Sequence, residues 1–136
     1  MKITPYLTFN GECAQAIALY EKAFGGTAEV LRYSDAPPSE GYEAPAGTEN
    51  LVMHATFTAG GGLMYLCDSI EGSAIGGGVS IHVDLHDVAK VQAAFDVLKE
   101  GGEVGMEPQA TFWCKSFAML EDKFGVSWML SVEEVQ

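Results

Sequence analysis

His82 and Asp84, in the stretch SIHVDLH, stand two residues apart, a spacing that on a strand puts both side chains on one face within reach of a common ion. His54 in LVMHATFT and Cys67 in LMYLC are the other metal-ligating side chains that a sheet could aim inward. A divalent cation needs three or four N, O or S donors converging from a rigid scaffold, with open positions left for substrate oxygens. One strand pair supplies two donors, and a histidine alone on a sheet face more often serves as a hydrogen-bonded structural group than as a ligand. His86 falls in a turn before a helix and is expected at the surface. Cys114 beside Lys115 has the makings of a reactive thiol, set against the usual behaviour of a free cysteine as a small buried group. No Ser-His-Asp set is present, and the glycine runs at 60–62 and 76–78 lack the strand-to-helix context of a phosphate or dinucleotide loop.

The elements that must position these residues follow from periodicity. Ile3, Pro5, Leu7 and Phe9 alternate with Thr4, Tyr6 and Thr8, as in a half-buried strand, with Pro5 at its start or on an edge. Cys13, Ala16, Ile17, Tyr20, Ala23 and Phe24 make one apolar stripe on a helix that Gly25-Gly26 stops, and Glu12 complements the helix dipole at its start. Strands follow over Val30 to Tyr33, 51–58 and 63–67, the last two joined by a glycine turn. Then the pattern restarts. Val79, Ile81, Val83 and Leu85 alternate with Ser80, His82 and Asp84, and Asp87 caps a helix with Val88, Val91, Phe95 and Leu98 on one stripe, closed by Gly101-Gly102. Segments near 103–107, 112–120 and 126–132 complete the set, so an offset of about 76 residues maps one βαβββ module onto the other. The fold class is α+β, a single domain 1–136 built from modules at about 1–70 and 76–136. The segment 34–50, with three prolines and the single aromatic Tyr42, is longer than an ordinary connection and reads as a mobile loop or a lid.

Composition narrows the partners. At 136 residues the chain can bury roughly 65 to 70% of its unfolded surface, and a net charge of −12 repels nucleic acid phosphates and anionic headgroups, so neither nucleic acid nor membrane is expected as a partner. Three cysteines without a C-x-x-C pair fit a reducing cytoplasm, and no export signal or spanning segment is expected.

Parity then sorts the strand faces. In the opening strands the odd-numbered residues are apolar and face the helix, leaving Thr4, Tyr6, Thr8, Ser80, His82 and Asp84 on the other side. In the last strand Val126, Trp128, Leu130 and Val132 form the bulky face and Ser127, Met129 and Ser131 the other; in 51–58 the mixed face carries Val52, His54, Thr56 and Thr58. Polar, small and aromatic residues with almost no Lys, Arg or Glu recur on that face, which suggests a sheet curled around a cavity. Trp113 and Phe117, with Phe112, fit a pocket wall or a core equally well. Asp122-Lys123 before Phe124-Gly125 reads as a turn.

The two modules, the opening TPYLTFNGECAQAIALYEKAFGG and above all TFWCKSFAMLEDKFGVSWML resemble the PhnB-like branch of the glyoxalase/bleomycin-resistance/dioxygenase group, the vicinal oxygen chelate superfamily, over essentially the whole chain. The resemblance implies a curled mixed sheet with helices on its convex side, a cavity in each cup or between subunits, and a homodimer. Enzymes of that superfamily hold a divalent metal with His, Gln or Glu from the first and last strands of each module. Carried over by parity, those positions are Thr4, Leu66 or a near neighbour, Ser80 and Met129, none of them a competent ligand. Met129 stands where the pattern D-x-x-G-x-x-x-E places its glutamate. Members of this branch also carry quinone methyltransferase labels, but no cofactor loop for methyl transfer is evident in the sequence.

The reading is therefore a cytoplasmic, homodimeric, PhnB-like protein that binds a small organic molecule, with no metal ligands and no cofactor assigned. Tyr6, His54 and His82 would orient its polar groups, and Trp113, Phe117 and Met129, with Tyr65, would supply the remaining contacts. The alternative is a metal-dependent lyase, isomerase or dioxygenase with a displaced site around His82, His54 and Asp84.

Overall fold

A computed structural model describes residues 1–36, 45–70 and 78–133. Strand β1 (Tyr6–Phe9), helix α1 (Cys13–Phe24) and strands β2 (Thr27–Arg32), β3 (Val52–Ala59) and β4 (Gly62–Asp68) are followed by β5 (Ile81–Asp84), α2 (Val88–Leu98), β6 (Glu103–Gln109), β7 (Ser116–Glu121) and β8 (Ser127–Val132). The strands form two four-stranded sheets with orders β1-β4-β3-β2 and β5-β8-β7-β6. In each sheet the opening strand lies parallel to the closing strand and the remaining pairs are antiparallel. The two βαβββ modules are thus present in the order the sequence predicts. Two compact units divide the chain, residues 1–21 with 25–75 and residues 22–24 with 76–136.

The helix ends follow from their capping chemistry. Gly25 takes φ 72°, and its N–H bonds to Glu21 O at 2.8 Å to close α1. Asp87 caps α2 by accepting the Ala89 N–H at 2.8 Å. Cys13, Ala16, Ile17 and Tyr20 are the buried stripe of α1. In α2 the buried stripe is Val91, Ala94, Phe95 and Leu98, packed on β6, β7 and β8. Val88, expected on that stripe, is half exposed because the first residue of the helix lies beyond the edge of the core.

Immediately after each helix the chain passes flush against the neighbouring hairpin. A Cβ at Gly26 would overlap Thr58 O and come within 2.8 Å of the Ala59 Cβ. A Cβ at Gly102 would overlap Glu121 O and lie 3.0 Å from the Asp122 Cα. Both positions need glycine for space, so the second glycine of each pair is a packing requirement repeated in both modules.

Four strand readings need correction, and the first is that β2 runs from Thr27 to Arg32 rather than from Val30 to Tyr33, which opens a 3-10 turn. β1 and β5 are shorter than their alternation suggests, since β4 offers partners for residues 6–9 and β8 for residues 81–84. Ile3 and Val79 consequently lie in coil and are exposed. Val52 is fully buried rather than on the mixed face, because the ladder jumps from Leu31↔His54 to Arg32↔Val52 and the extra residue, Met53, reverses the phase. β7 begins at Ser116 rather than 112, since residues 111–114 make a turn. Residues 37–44 of the long connection, with Tyr42, lie outside the described residues, as do Gly76 and Gly77. Among the described residues no helix is long and apolar enough to cross a membrane.

Candidate functional site

In the second unit the polar and aromatic side chains of the open sheet face gather around a hollow of about 400 Å³, lined by His82, Trp113, Cys114, Phe117, Ser131 and Glu133. The ladders put them there. Phe117 and Ser131 are direct partners in the β7–β8 pair, and β5 runs alongside β8 with Asp84 opposite Ser131 and His82 opposite Met129. His82 Nε2 meets the Ser131 hydroxyl at 2.7 Å, and the same nitrogen is 3.6 Å from Glu133 Oε1. Either partner of the 2.7 Å bond can donate, according to the imidazole tautomer.

The aromatic wall depends on a short turn. The Thr111 hydroxyl accepts the N–H groups of Cys114 at 3.1 Å and Trp113 at 3.4 Å. The Cys114 thiol donates to Ser116 O at 3.2 Å, fixing the turn to the start of β7. Trp113 makes two edge-to-face contacts, with Phe117 at a centroid distance of 5.7 Å and planes at 69°, and with Phe112 at 4.8 Å and 84°. Trp113 is half exposed; Cys114 is buried and behaves as the small packed group the bland sequence reading describes.

The first unit carries a different cluster. Tyr6 Oη and His54 Nδ1 are hydrogen-bonded at 2.9 Å, and the rings of Tyr6, His54 and Tyr65 stand 5.0 to 5.7 Å from one another. Lys2 Nζ lies 6.0 Å above the Tyr65 ring. Burial, followed by the neighbouring Cys67 thiol, pushes the Tyr6 hydroxyl pKa up. Cys13, fully buried, is pushed up to about 12 by burial and then by the Asp68 carboxylate, so it stays a neutral thiol at any physiological pH.

Six of the seven expected contact residues therefore fall into two groups. Tyr6, His54 and Tyr65 meet in the first unit; His82, Trp113 and Phe117 line the hollow of the second. Met129 is next to His82 in the ladder but outside the hollow's wall. Glu133, Ser131 and Cys114 are wall residues that the sequence reading did not single out as contacts. Parity held the signal for Glu133, which continues the series Ser127, Met129, Ser131.

The metal positions carried over from the superfamily do not fit a divalent ion. Leu66 is fully buried, so the open-face residues of β4 are Tyr65 and Cys67. Within each unit the side chains of the displaced set already have protein partners. His54 is bonded to Tyr6, His82 to Ser131, and Asp84 accepts the His86 N–H at 3.0 Å with the largely exposed His86 ring 3.4 Å away. Among the described residues no group of three His, Cys, Asp or Glu side chains is placed to hold a metal.

Comparison with known proteins agrees with this fold. Residues 1–131 match the family model of 3-demethylubiquinone-9 3-methyltransferase. Protein YjdN of Escherichia coli (strain K12) is 33% identical over 146 residues, spanning 100% of this chain and 98% of that protein. The crystal structure of protein PA1353 from Pseudomonas aeruginosa superposes with a TM-score of 0.82 at 36% identity over 96% of both chains. A structure from Bacillus cereus titled a putative 3-demethylubiquinone-9 3-methyltransferase, PhnB protein, gives 0.77 at 29% identity over 96% of this chain and 98% of its own. A glyoxalase/bleomycin resistance protein from Albidiferax ferrireducens T118, at 12% identity and a TM-score of 0.60 over 96% and 98% of the two chains, shares the fold. The duplicated βαβββ architecture and a match along nearly the whole sequence lead to one assignment: the chain belongs to the PhnB-like, 3-demethylubiquinone-9 3-methyltransferase-like family, with the fold of the glyoxalase/bleomycin-resistance superfamily.

Proposed function

We propose that the protein binds a small organic molecule with an apolar body and a polar head in the hollow of its second unit. The observation that carries this is the convergence of two aromatic rings with His82, Ser131 and Glu133 on one space of about 400 Å³, the size range and mixed lining of small-ligand sites. Trp113 and Phe117 would grip the body, while His82 and Ser131, already 2.7 Å apart, would share hydrogen bonds with the head. The ring cluster of the first unit remains a separate candidate contact.

Trp113 provides the readout. It is 47% exposed at the hollow, whereas the other tryptophan, Trp128, is 2% exposed and bonded to Asp122, so only the first should respond to a ligand. A panel of small aromatic compounds, including a short-chain demethylated ubiquinone analogue because the family's name points to that substrate, is expected to contain members that quench Trp113 and raise the melting temperature. Trp113→Ala should weaken those members about tenfold, the loss of one aromatic wall. A panel in which nothing shifts either signal at millimolar concentration rejects the reading.

The same reading takes the protein to be a cytoplasmic homodimer. Cys13, Cys67 and Cys114 are thiols rather than disulfide halves, which supports the reducing compartment. Sedimentation is expected to give twice the chain mass, and a monomer at micromolar concentration would contradict it.

A further inference from the structure

The wall of the hollow is one-sided in charge. Of its six residues one is a carboxylate, Glu133, and none is Lys or Arg; Lys115, next along the chain from Cys114, is not part of the wall. The rings of Trp113 and Phe117 meet edge to face at 69° with centroids 5.7 Å apart, bringing aromatic surface to the hollow, and the imidazole of His82 lies beside the carboxylate. A cation gains from both features, since ring faces attract positive charge within about 6 Å and a carboxylate completes the pairing. An anion gains from neither, and it also meets the field of a chain with a net charge of −12.

We propose that this hollow selects organic cations, molecules whose apolar body ends in an ammonium or quaternary ammonium group held between the aromatic wall of Trp113 and Phe117 and the carboxylate of Glu133. The inference rests on the small-molecule reading of the same hollow and adds the charge class of the ligand.

The test uses a matched pair, benzyltrimethylammonium and its uncharged isostere neopentylbenzene, with benzenesulfonate as the anion. Each is titrated against the purified full-length protein by Trp113 fluorescence. The expected result is at least tenfold tighter binding of the cation than of the isostere, with no saturation by the sulfonate. Glu133 is a mainly exposed side chain, so Glu133→Gln should fold normally and bring the preference to threefold or less while leaving the isostere unchanged. Raising the salt from about 20 to 500 mM should shrink the preference in the unaltered protein. Equal binding of cation and isostere overturns charge selection but leaves the small-molecule reading standing. A preference that survives Glu133→Gln overturns the role given to that carboxylate. Binding by neither, together with a silent wider panel, brings down both.

Discussion

Asp122→Ala is expected to lower the folding free energy by about 4 kcal/mol, a large share of the roughly 5 to 15 kcal/mol that holds a domain of this size together. The carboxylate is 3% exposed and receives three donors: the Phe124 and Val126 N–H groups on Oδ1 at 2.9 and 3.1 Å, and the Trp128 indole N–H on Oδ2 at 2.9 Å. Removing it strands donors in a site with little access for water, and each such group costs about 1 to 3 kcal/mol, with part recovered by relaxation. The backbone also turns around this residue, as Asp122 N–H bonds to Val126 O and Gly125 N–H to Asp122 O. Asp122→Asn separates the two contributions. The amide oxygen can still serve Phe124 and Val126, but its NH₂ then faces the Trp128 N–H, so about half the loss should remain. Urea denaturation followed by the buried Trp128 measures both variants; a loss under 1 kcal/mol for the alanine variant contradicts the account.

The second large effect belongs to the glycines that follow each helix. Gly26→Ala and Gly102→Ala should each cost about 3 kcal/mol, because the added methyl meets a backbone oxygen of the neighbouring hairpin that cannot swing away, Thr58 O or Glu121 O, and at Gly26 the Phe57 ring and Ala59 Cβ as well. The preceding pair makes the comparison. Gly25 and Gly101 both take a left-handed φ, 72° and 74°, but a Cβ at Gly25 meets nothing and one at Gly101 meets only the Lys123 side chain. Alanine there should cost about 1 kcal/mol, the price of conformation without a collision. Equal losses across the four variants would mean that the close approach does not matter.

Much of this architecture was legible because the helices announce themselves by composition as well as period. The stripe from Cys13 to Tyr20 and the stop at Gly25-Gly26 recur in the second module, and α1 spans the range that they define. Strand limits were less legible, since alternation in Ile3 and Val79 continues past the residues that find a hydrogen-bonding neighbour. The reversed phase at Val52 depends on an irregularity that has no signature in residue type. For the site, parity placed His82 on the open face, whereas the approach of Trp113 depends on the Thr111 turn, a local hydrogen-bond pattern that spacing alone does not reveal. The buried acids were the least visible. Asp122 reads only as a turn residue and Asp68 falls just past the expected strand 63–67, yet Asp68 is 3% exposed and accepts the N–H groups of Cys13 and Val52 at 2.9 and 3.0 Å.

Because β1 pairs with β4 and Asp68 fastens the start of α1 from the far end of that strand, a ribosome delivers the opening strand well before its partner. At about 5 to 20 residues per second the wait is roughly 3 to 12 seconds. During it the nascent chain shows Phe9 and Ile17, destined for the interior, to the surrounding water or to a chaperone. A similar delay returns in the second half, where β5 must await its partner β8.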